Sequence, residues 1–419
     1  MIQTMKFNYI SLLFLVLVSC SKTYEYNPPR EFKDEQKSIL TSFILATDSS
    51  TIELPEGHFS FDKSLILEGK TNVTIKGQGK DKTILSFINQ TQGAEGIRIA
   101  NCKNITLQDF MIEDAAGDNI KVTDTEGILF DNLVVGWTGT VDESNGAYGL
   151  YPVLCKNVTV RNCTVFGASD AGIYVGQSDT VLIENNKTYW NVAGIESENS
   201  AEVIIRNNTS YENTGGILVF DLPGLTQYGK NIEVYDNDVY ENNTANFAPP
   251  GNMVGVTPPG TGILVLATQG VQIHDNNIRN NKTIGVGIVS YSLLEAMGGD
   301  ENTGGGGSRE ELEKQNQLDK NYNPFVGDVS VYNNTYVNSY LLPNLDNDFG
   351  KLFLFKFGFS SPQVAWDGLQ SPDYFLADGS INPDYRICVS EGEGIKSVNL
   401  DAANDFEGLE ENPAIFNCN

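Results

Sequence analysis

The sequence predicts an all-β chain folded as a right-handed parallel β-helix, and three observations predict it. An eight-residue unit recurs along the chain, a second short motif interleaves with it, and the composition favours strands and turns. Gly reaches 41 residues, with 21 Phe and 18 Tyr, and helix-forming runs are rare. The first unit is Val158-Thr-Val-Arg-Asn-Cys-Thr-Val165. Close copies begin at Val181, Val203, Ile232, Val271 and Val329, and weaker ones at Val73, Ile105 and Ile128. The tightest spacings are 23 and 22 residues, and wider ones mark insertions that a solenoid carries as loops. The second motif is Gly followed by Ile or Leu, at Gly96, Gly149, Gly172, Gly194, Gly216, Gly262 and Gly287.

A coil of three short strands cannot bury its inward side chains alone. Stacked coils give each strand a parallel neighbour and make one apolar column. Ile173, Val175, Ile195, Ile217, Val219, Ile263 and Val265 are the expected column. Asn186, Asn208, Asn237, Asn276 and Asn334 recur at the tight turn of the unit. Asn tolerates left-handed backbone, and stacked amides can hydrogen-bond from coil to coil, so this column is read as structural.

The remaining elements follow in chain order. Residues 1–19 read as a signal peptide: Lys6 supplies a positive start, and Tyr9 to Val18 is an apolar run too short to span a bilayer. Leu17-Val18-Ser19-Cys20 resembles a bacterial lipobox, which implies a lipid on Cys20 as the only membrane anchor. Residues 20–30 read as a tether, and 31–349 as the solenoid with its N-terminal cap. Residues 31–46 suit an amphipathic helix with Ile39, Leu40, Phe43 and Ile44 on one side, covering the open edge of the first coil. Residues 291–328 hold a Gly-rich, charged insertion. Residues 350–419 lose the repeat, show alternation over Lys351–Phe359, and read as a C-terminal cap.

Formal net charge is −27, which argues against nucleic acid and against unaided binding of a polyanion. Of six Cys, Cys388 and Cys418 share the C-terminal segment, and export would permit a disulfide between them. Cys102 and Cys155 hold equivalent places two coils apart, about 10 Å at the ordinary strand spacing, too far to bridge. No CxxC or His-rich cluster points to zinc or haem.

Several runs resemble a family of exported parallel β-helix domain-containing lipoproteins with a pectin-lyase-like fold. They are Asp170–Ser178, Ala193–Glu196, Gly215–Gly224, Asn246–Ala248, Gly260–Gly262 and Asp384–Cys388. The resemblance implies a cell-envelope location, lipid-anchored, and a dihaem c-type cytochrome as a partner. It carries no catalytic residues. The pectin-lyase-like resemblance also implies a ligand groove along the first strand of each coil, here the Gly-Ile strands. Their outward residues form two columns. One reads Arg98, Lys121, Tyr151, Tyr174, Glu196, Leu218, Leu264; the next reads Ala100, Thr123, Val153, Gly176, Glu198, Phe220, Leu266. Loops 138–148, 221–230 and 242–261 border the same face.

Aromatic faces pack on sugar rings and carboxylates accept from hydroxyls, so Tyr151, Tyr174, Glu196, Glu198, Phe220 and Asp221 are the candidate saccharide ligands. Asp170, Glu196 and Glu198 are the candidate oxygen ligands for Ca²⁺, the one cofactor the residues suggest. Arg98, Lys121 and Lys230 are the candidate bases for a β-elimination. No paired-carboxylate or Ser/His/Asp constellation is visible. Two functions from different classes follow. One is a binding or scaffold module for an envelope glycan or the cytochrome. The other is a polysaccharide lyase or epimerase on the Gly-Ile face. An enzyme requires a tight polar pocket with shifted titratable groups; a docking module requires a flat patch.

Overall fold

The computed structural model describes residues 22–24, 31–293, 314 and 317–418. The lipobox and Cys20 therefore lie outside the described residues, as does most of the Gly-rich insertion. The described chain is a right-handed parallel β-helix. Each coil lays down three strands, for example Ala171–Gly176, Asp179–Glu184 and Lys187–Tyr189. The first kind builds a 12-stranded sheet, here sheet 1; the second and third build 11-stranded sheets 2 and 3. Nearly all pairings are parallel, and each strand bonds to its equivalent one coil away.

The expected apolar column is in place. Ile173, Val175, Ile195, Ile217, Val219, Ile263 and Val265 are fully buried in one continuous core with their counterparts from sheets 2 and 3. At Gly149, Gly172, Gly194, Gly216 and Gly262 an added Cβ would meet the carbonyl oxygen of the equivalent Gly one coil on, at 2.4–3.0 Å. The glycines of the second motif thus let successive coils close at a corner where no side chain fits. One member of that motif is misplaced in the sequence reading. Leu264 pairs with Gly287 and Ile263 with Val286, so the corner glycine of that coil is Gly285, and Gly287 sits in the outward column.

The Asn column forms a ladder. Each amide Nδ2 donates to the next Oδ1, at 3.0 Å from Asn186 to Asn208, from Asn208 to Asn237 and from Asn237 to Asn276, and at 2.9 Å from Asn276 to Asn334. Each Oδ1 also accepts the backbone N–H of the preceding member, so every rung satisfies two buried donors. Glu391 closes the ladder, accepting from Asn334 Nδ2 at 2.8 Å. The left-handed residue is one position earlier than the ladder, at Asn162, Asn185, Asn207, Asp236, Asp275 and Asn333. A second buried ladder, Asn191, Asn213, Asn242 and Asn281, lines the corner between sheets 3 and 1.

Helix α1, Gln36–Ile44, caps the first coil with Ile39 and Phe43 buried, while Ile44 points to solvent instead of into the core. The alternating run at Lys351–Phe359 is a helix, not a strand. Helix α2 spans Asp348–Phe357; Asn347 caps it by accepting from Gly350 N, and Gly358 ends it. Phe349, Phe353 and Phe357 recur at four-residue spacing and pack on Ala365, Val398 and Leu400. The C-terminal segment also extends the solenoid. Val364–Trp366 and Ser397–Asn399 add to sheet 1, and Ile387–Ser390 adds to sheet 2, all in parallel. Cys388 and Cys418 are joined in a disulfide, whereas Cys102, Cys155 and Cys163 are buried free thiols.

Candidate functional site

The outward face of sheet 1 has the register that the sequence implies. Lys121 pairs with Arg98 and Tyr151, Tyr174 with Glu196, and Glu196 with Leu218. The adjacent column runs through Gly176, Glu198 and Phe220. The exposure of this face differs from an open groove. Arg98 is exposed and Lys121 and Tyr151 are half-buried, but from Tyr174 onward the face is roofed. Tyr148, Leu222, Tyr228, Phe247, Met253 and Val254, contributed by the three long loops, pack over Leu218, Phe220, Leu264 and Leu266. Phe220 and Asp221, expected as exposed saccharide ligands, are therefore buried beneath these loops. Apolar outward residues in coils with long loops account for the difference: Leu218, Leu264 and Leu266 need a cover of their own.

Where the open part meets the roof, three carboxyls and three tyrosines converge. Glu196 and Glu198 point outward from one strand, and Asp170 comes from the turn before the preceding strand. Tyr148, Tyr151 and Tyr174 form a mutual cluster with ring centroids 4.4–4.9 Å apart. The Tyr174 hydroxyl donates to Glu198 Oε1 at 2.8 Å. The Tyr148 hydroxyl hydrogen-bonds Asp170, and Asn252 Nδ2 from the roof loop reaches Asp170 Oδ2 at 3.4 Å. Glu196 is 3% exposed, and its Oε2 is buried with no hydrogen-bond partner.

Burial dominates the electrostatics. It pushes the Asp170 carboxyl up to about 7, against the Tyr148 hydrogen bond and with the help of the Glu198 and Asp118 charges. Burial, then the charges of Asp170 and Glu198, raises Glu196 well above the ordinary carboxyl range. Glu198 is also raised by burial, with Tyr174 pulling the other way. Because their charges act on one another, the three carboxyls titrate as an interacting group. Burial raises Asp118 too, opposed by Lys121, whose ammonium stands 3.5 Å from Asp118 Oδ2 and 4.6 Å from the Tyr151 ring centroid. Asp221 lies apart, both its oxygens accepting from Gly229 N at 2.8 Å.

Asp170, Glu196 and Glu198, the candidate Ca²⁺ ligands, come together, although among the described residues no group of three His, Cys, Asp or Glu side chains is arranged to hold a metal. One sequence expectation needs correction. Lys230 does not join Arg98 and Lys121; it starts a sheet 2 strand opposite Ala201 and is exposed. Conversely, Glu196, Glu198 and Asp170, which the sequence offers only as saccharide or Ca²⁺ ligands, come together as carboxyls suited to acid–base work. Tyr148, Asp118 and Asn252 were also missed. Tyr148 and Asp118 share one column, each two residues before an inward aliphatic of sheet 1, Leu150 and Ile120, and that offset was the available signal.

A family model for the right-handed β-helix region matches residues 148–296. No curated protein matches the chain. Among solved structures, the A-module of the mannuronan C-5 epimerase AlgE6 from Azotobacter vinelandii is similar, with 16% identity and a TM-score of 0.51. That match covers 87% of this chain and 92% of the module. The AlgE4 A-module from the same organism matches at 14% identity and a TM-score of 0.47, over 74% of this chain and 86% of the module. At this identity the likeness is one of fold.

Proposed function

We propose that the protein is a polysaccharide-active enzyme of the lyase or epimerase class, working by acid–base chemistry at the Asp170–Glu196–Glu198–tyrosine cluster. One observation carries the reading. Three carboxyls with shared, upward-shifted titration meet three tyrosines at the closed end of an open row, Arg98–Lys121–Tyr151. In this reading Arg98 and Lys121 hold the anionic groups of an acidic glycan despite the overall negative charge. Tyr151 supports a sugar ring. Glu198, half-buried and oriented by Tyr174, takes a proton from the sugar carbon. A protonated acid of the cluster, Glu196 or Asp170, supplies one: to the opposite face of that carbon in epimerisation, or to the glycosidic oxygen as its carbon–oxygen bond breaks in elimination. The fold likeness to the AlgE6 epimerase module is consistent with this class and adds nothing to the assignment of residues. Export and lipid anchoring through Cys20 complete the proposal and place the site in the cell envelope.

The binding-module reading keeps one specific support: Asp170 lies beneath the roof, where Asn252 of the long loop donates to it at 3.4 Å. The deciding experiment incubates the full chain with polyuronates and neutral glycans, with and without Ca²⁺. Unsaturated-uronate absorbance and exchange of solvent deuterium into the sugar are the readouts. Turnover that falls about 10²–10⁴-fold in Glu198→Gln, with glycan binding retained, supports the enzyme. Binding without turnover in the wild type favours the module.

A further inference from the structure

We propose that the cluster takes the end of an acidic glycan chain, seated along Arg98, Lys121 and Tyr151, and not an internal stretch of one. The inference rests on the glycan-site reading above and states how the chain must lie in that site. The first observation is that the outward row of sheet 1 is open along one stretch alone. It begins at Ile66, which pairs with Arg98, and both are exposed. Ile66 to Tyr151 is three strand steps, about 14 Å, room for a few sugars. The next members, Tyr174, Glu196, Leu218 and Leu264, are buried. Gly287, Ala365 and Val398 continue the register to the last parallel strand of the sheet and are buried too. The row is therefore open on the N-terminal side of Tyr174 and does not reopen farther on.

The second observation is that the closure is fastened from both edges of the sheet. Tyr148 stands against Tyr151 and Tyr174, with ring centroids 4.4 and 4.7 Å away. Past the C-terminal ends of strands Ala171–Gly176 and Ala193–Glu198, loop 221–230 is bonded to the corner. Thr226 donates through N and Oγ1 to Gln177 Oε1 at 3.1 and 3.0 Å. Gln227 Nε2 donates to Ser178 O at 2.8 Å and to Asn199 O at 3.0 Å, and Asn199 Nδ2 donates to Leu222 O at 3.0 Å. At the opposite edge Asn252 reaches Asp170, and Asn246 Nδ2 ties its own loop by donating to Val254 O at 3.2 Å and Thr257 O at 3.0 Å. An internal stretch of glycan must leave a site at both ends, and here the exit beyond Tyr174 is filled by protein. The charges agree with the shape. Arg98 and Lys121 lie on the open stretch, and Asp118, 3.5 Å from the Lys121 ammonium, leaves that group other donors. Past Tyr174 the row meets Glu196, Leu218 and Leu264, which offer nothing to the carboxylates of a chain running on.

The test titrates the full chain with polymannuronate and with polygalacturonate, each cut into fractions of increasing length, and reads binding by calorimetry. A site for chain ends binds every fraction with the same affinity per chain. A tenfold longer chain is then expected to raise the half-saturating uronate concentration about tenfold. A half-saturating uronate concentration that stays constant as the chains lengthen overturns the proposal, and so does binding of several protein molecules along one long chain. Lys121→Ala is expected to weaken the binding of every fraction several-fold; unchanged affinity would put the chain end elsewhere and overturn the proposal as well. If sugars are turned over, the altered residues are expected at chain ends from the first time point, and mid-length fragments or internal alteration at that point would overturn it. Binding of chain ends without turnover leaves the end-on site standing and removes the enzyme reading alone. Absence of binding by every fraction overturns the end-on site.

Discussion

At the scale of single residues, the molecule concentrates its unusual chemistry in carboxyls that burial keeps protonated. Asp170 and Asp367 are each pushed up to about 7, and Asp114 to about 6, with burial the largest cause in every case. The folded chain therefore binds these protons more tightly than the unfolded chain does. The stability they contribute is full below the ordinary Asp range and is lost as pH rises through about 7. Thermal melts from pH 4 to 8.5 are expected to show a falling Tm across that window, and Asp170→Asn is expected to flatten part of the fall. A Tm that rises steadily to pH 8, or an unchanged slope in the variant, would remove the protonated-acid account of the cluster. The sequence placed Glu196 and Glu198 on one face with Asp170 near them, because strand alternation is legible. It did not show their burial, since the roof over them is built by loops whose path no periodicity encodes.

At the scale of elements, the corner of each coil is set by close approach and the turn by amide stacking. Gly216 illustrates the first. An added methyl would meet Gly262 O at 2.6 Å and Val239 Cγ1 at 2.5 Å, both in the packed interior. Gly216→Ala is expected to destabilise by about 1–3 kcal/mol, as overpacked cores do, read as a lowered denaturant midpoint. Asn208→Ala leaves the backbone N–H of Asn186 and the carbonyl of Ile183 without their partner, at about 1–3 kcal/mol for each orphaned group. Asn208→Asp is a useful contrast, because it keeps the acceptor but turns a buried carboxylate oxygen towards Ile183 O and Asn237 Oδ1; it is expected to cost at least as much as Ala at neutral pH and less as pH falls and the acid regains a proton to donate. The first ladder was legible because its Asn recurs inside the repeated unit. The second was not, because the long loop after Asn242 breaks its spacing from the corner glycine. Helix α2 was misread for a related reason. Leu352, Leu354 and the Phe residues satisfy a two-residue alternation and a four-residue spacing together, and the Asn347 cap decides between them.

At the scale of the whole molecule, a stack in which each coil touches mainly its neighbours has stability distributed along one axis, so the ends govern fraying. The N-terminal end is closed by α1, and its helical pattern was readable in the sequence. The C-terminal end continues sheets 1 and 2 with strands that carry no copy of the repeat, and their side chains match the stack only in three dimensions. The Cys388–Cys418 disulfide ties the last sheet 2 strand to the chain terminus across 30 residues, and the strand Ser397–Asn399 lies within that loop. Closing a loop of that length contributes about 3.6 kcal/mol. If the axis is the unit of stability, a Cys418→Ser variant should lose that amount locally. Amide exchange is expected to quicken in Ile387–Ser390, Ser397–Asn399 and Val364–Trp366, while the coils from Leu150 to Leu266 keep their protection. Faster exchange spread evenly over all coils would instead mean that the solenoid unfolds as one cooperative body. The proposed site, which sits in the middle coils, would then depend on the integrity of an end that it does not touch.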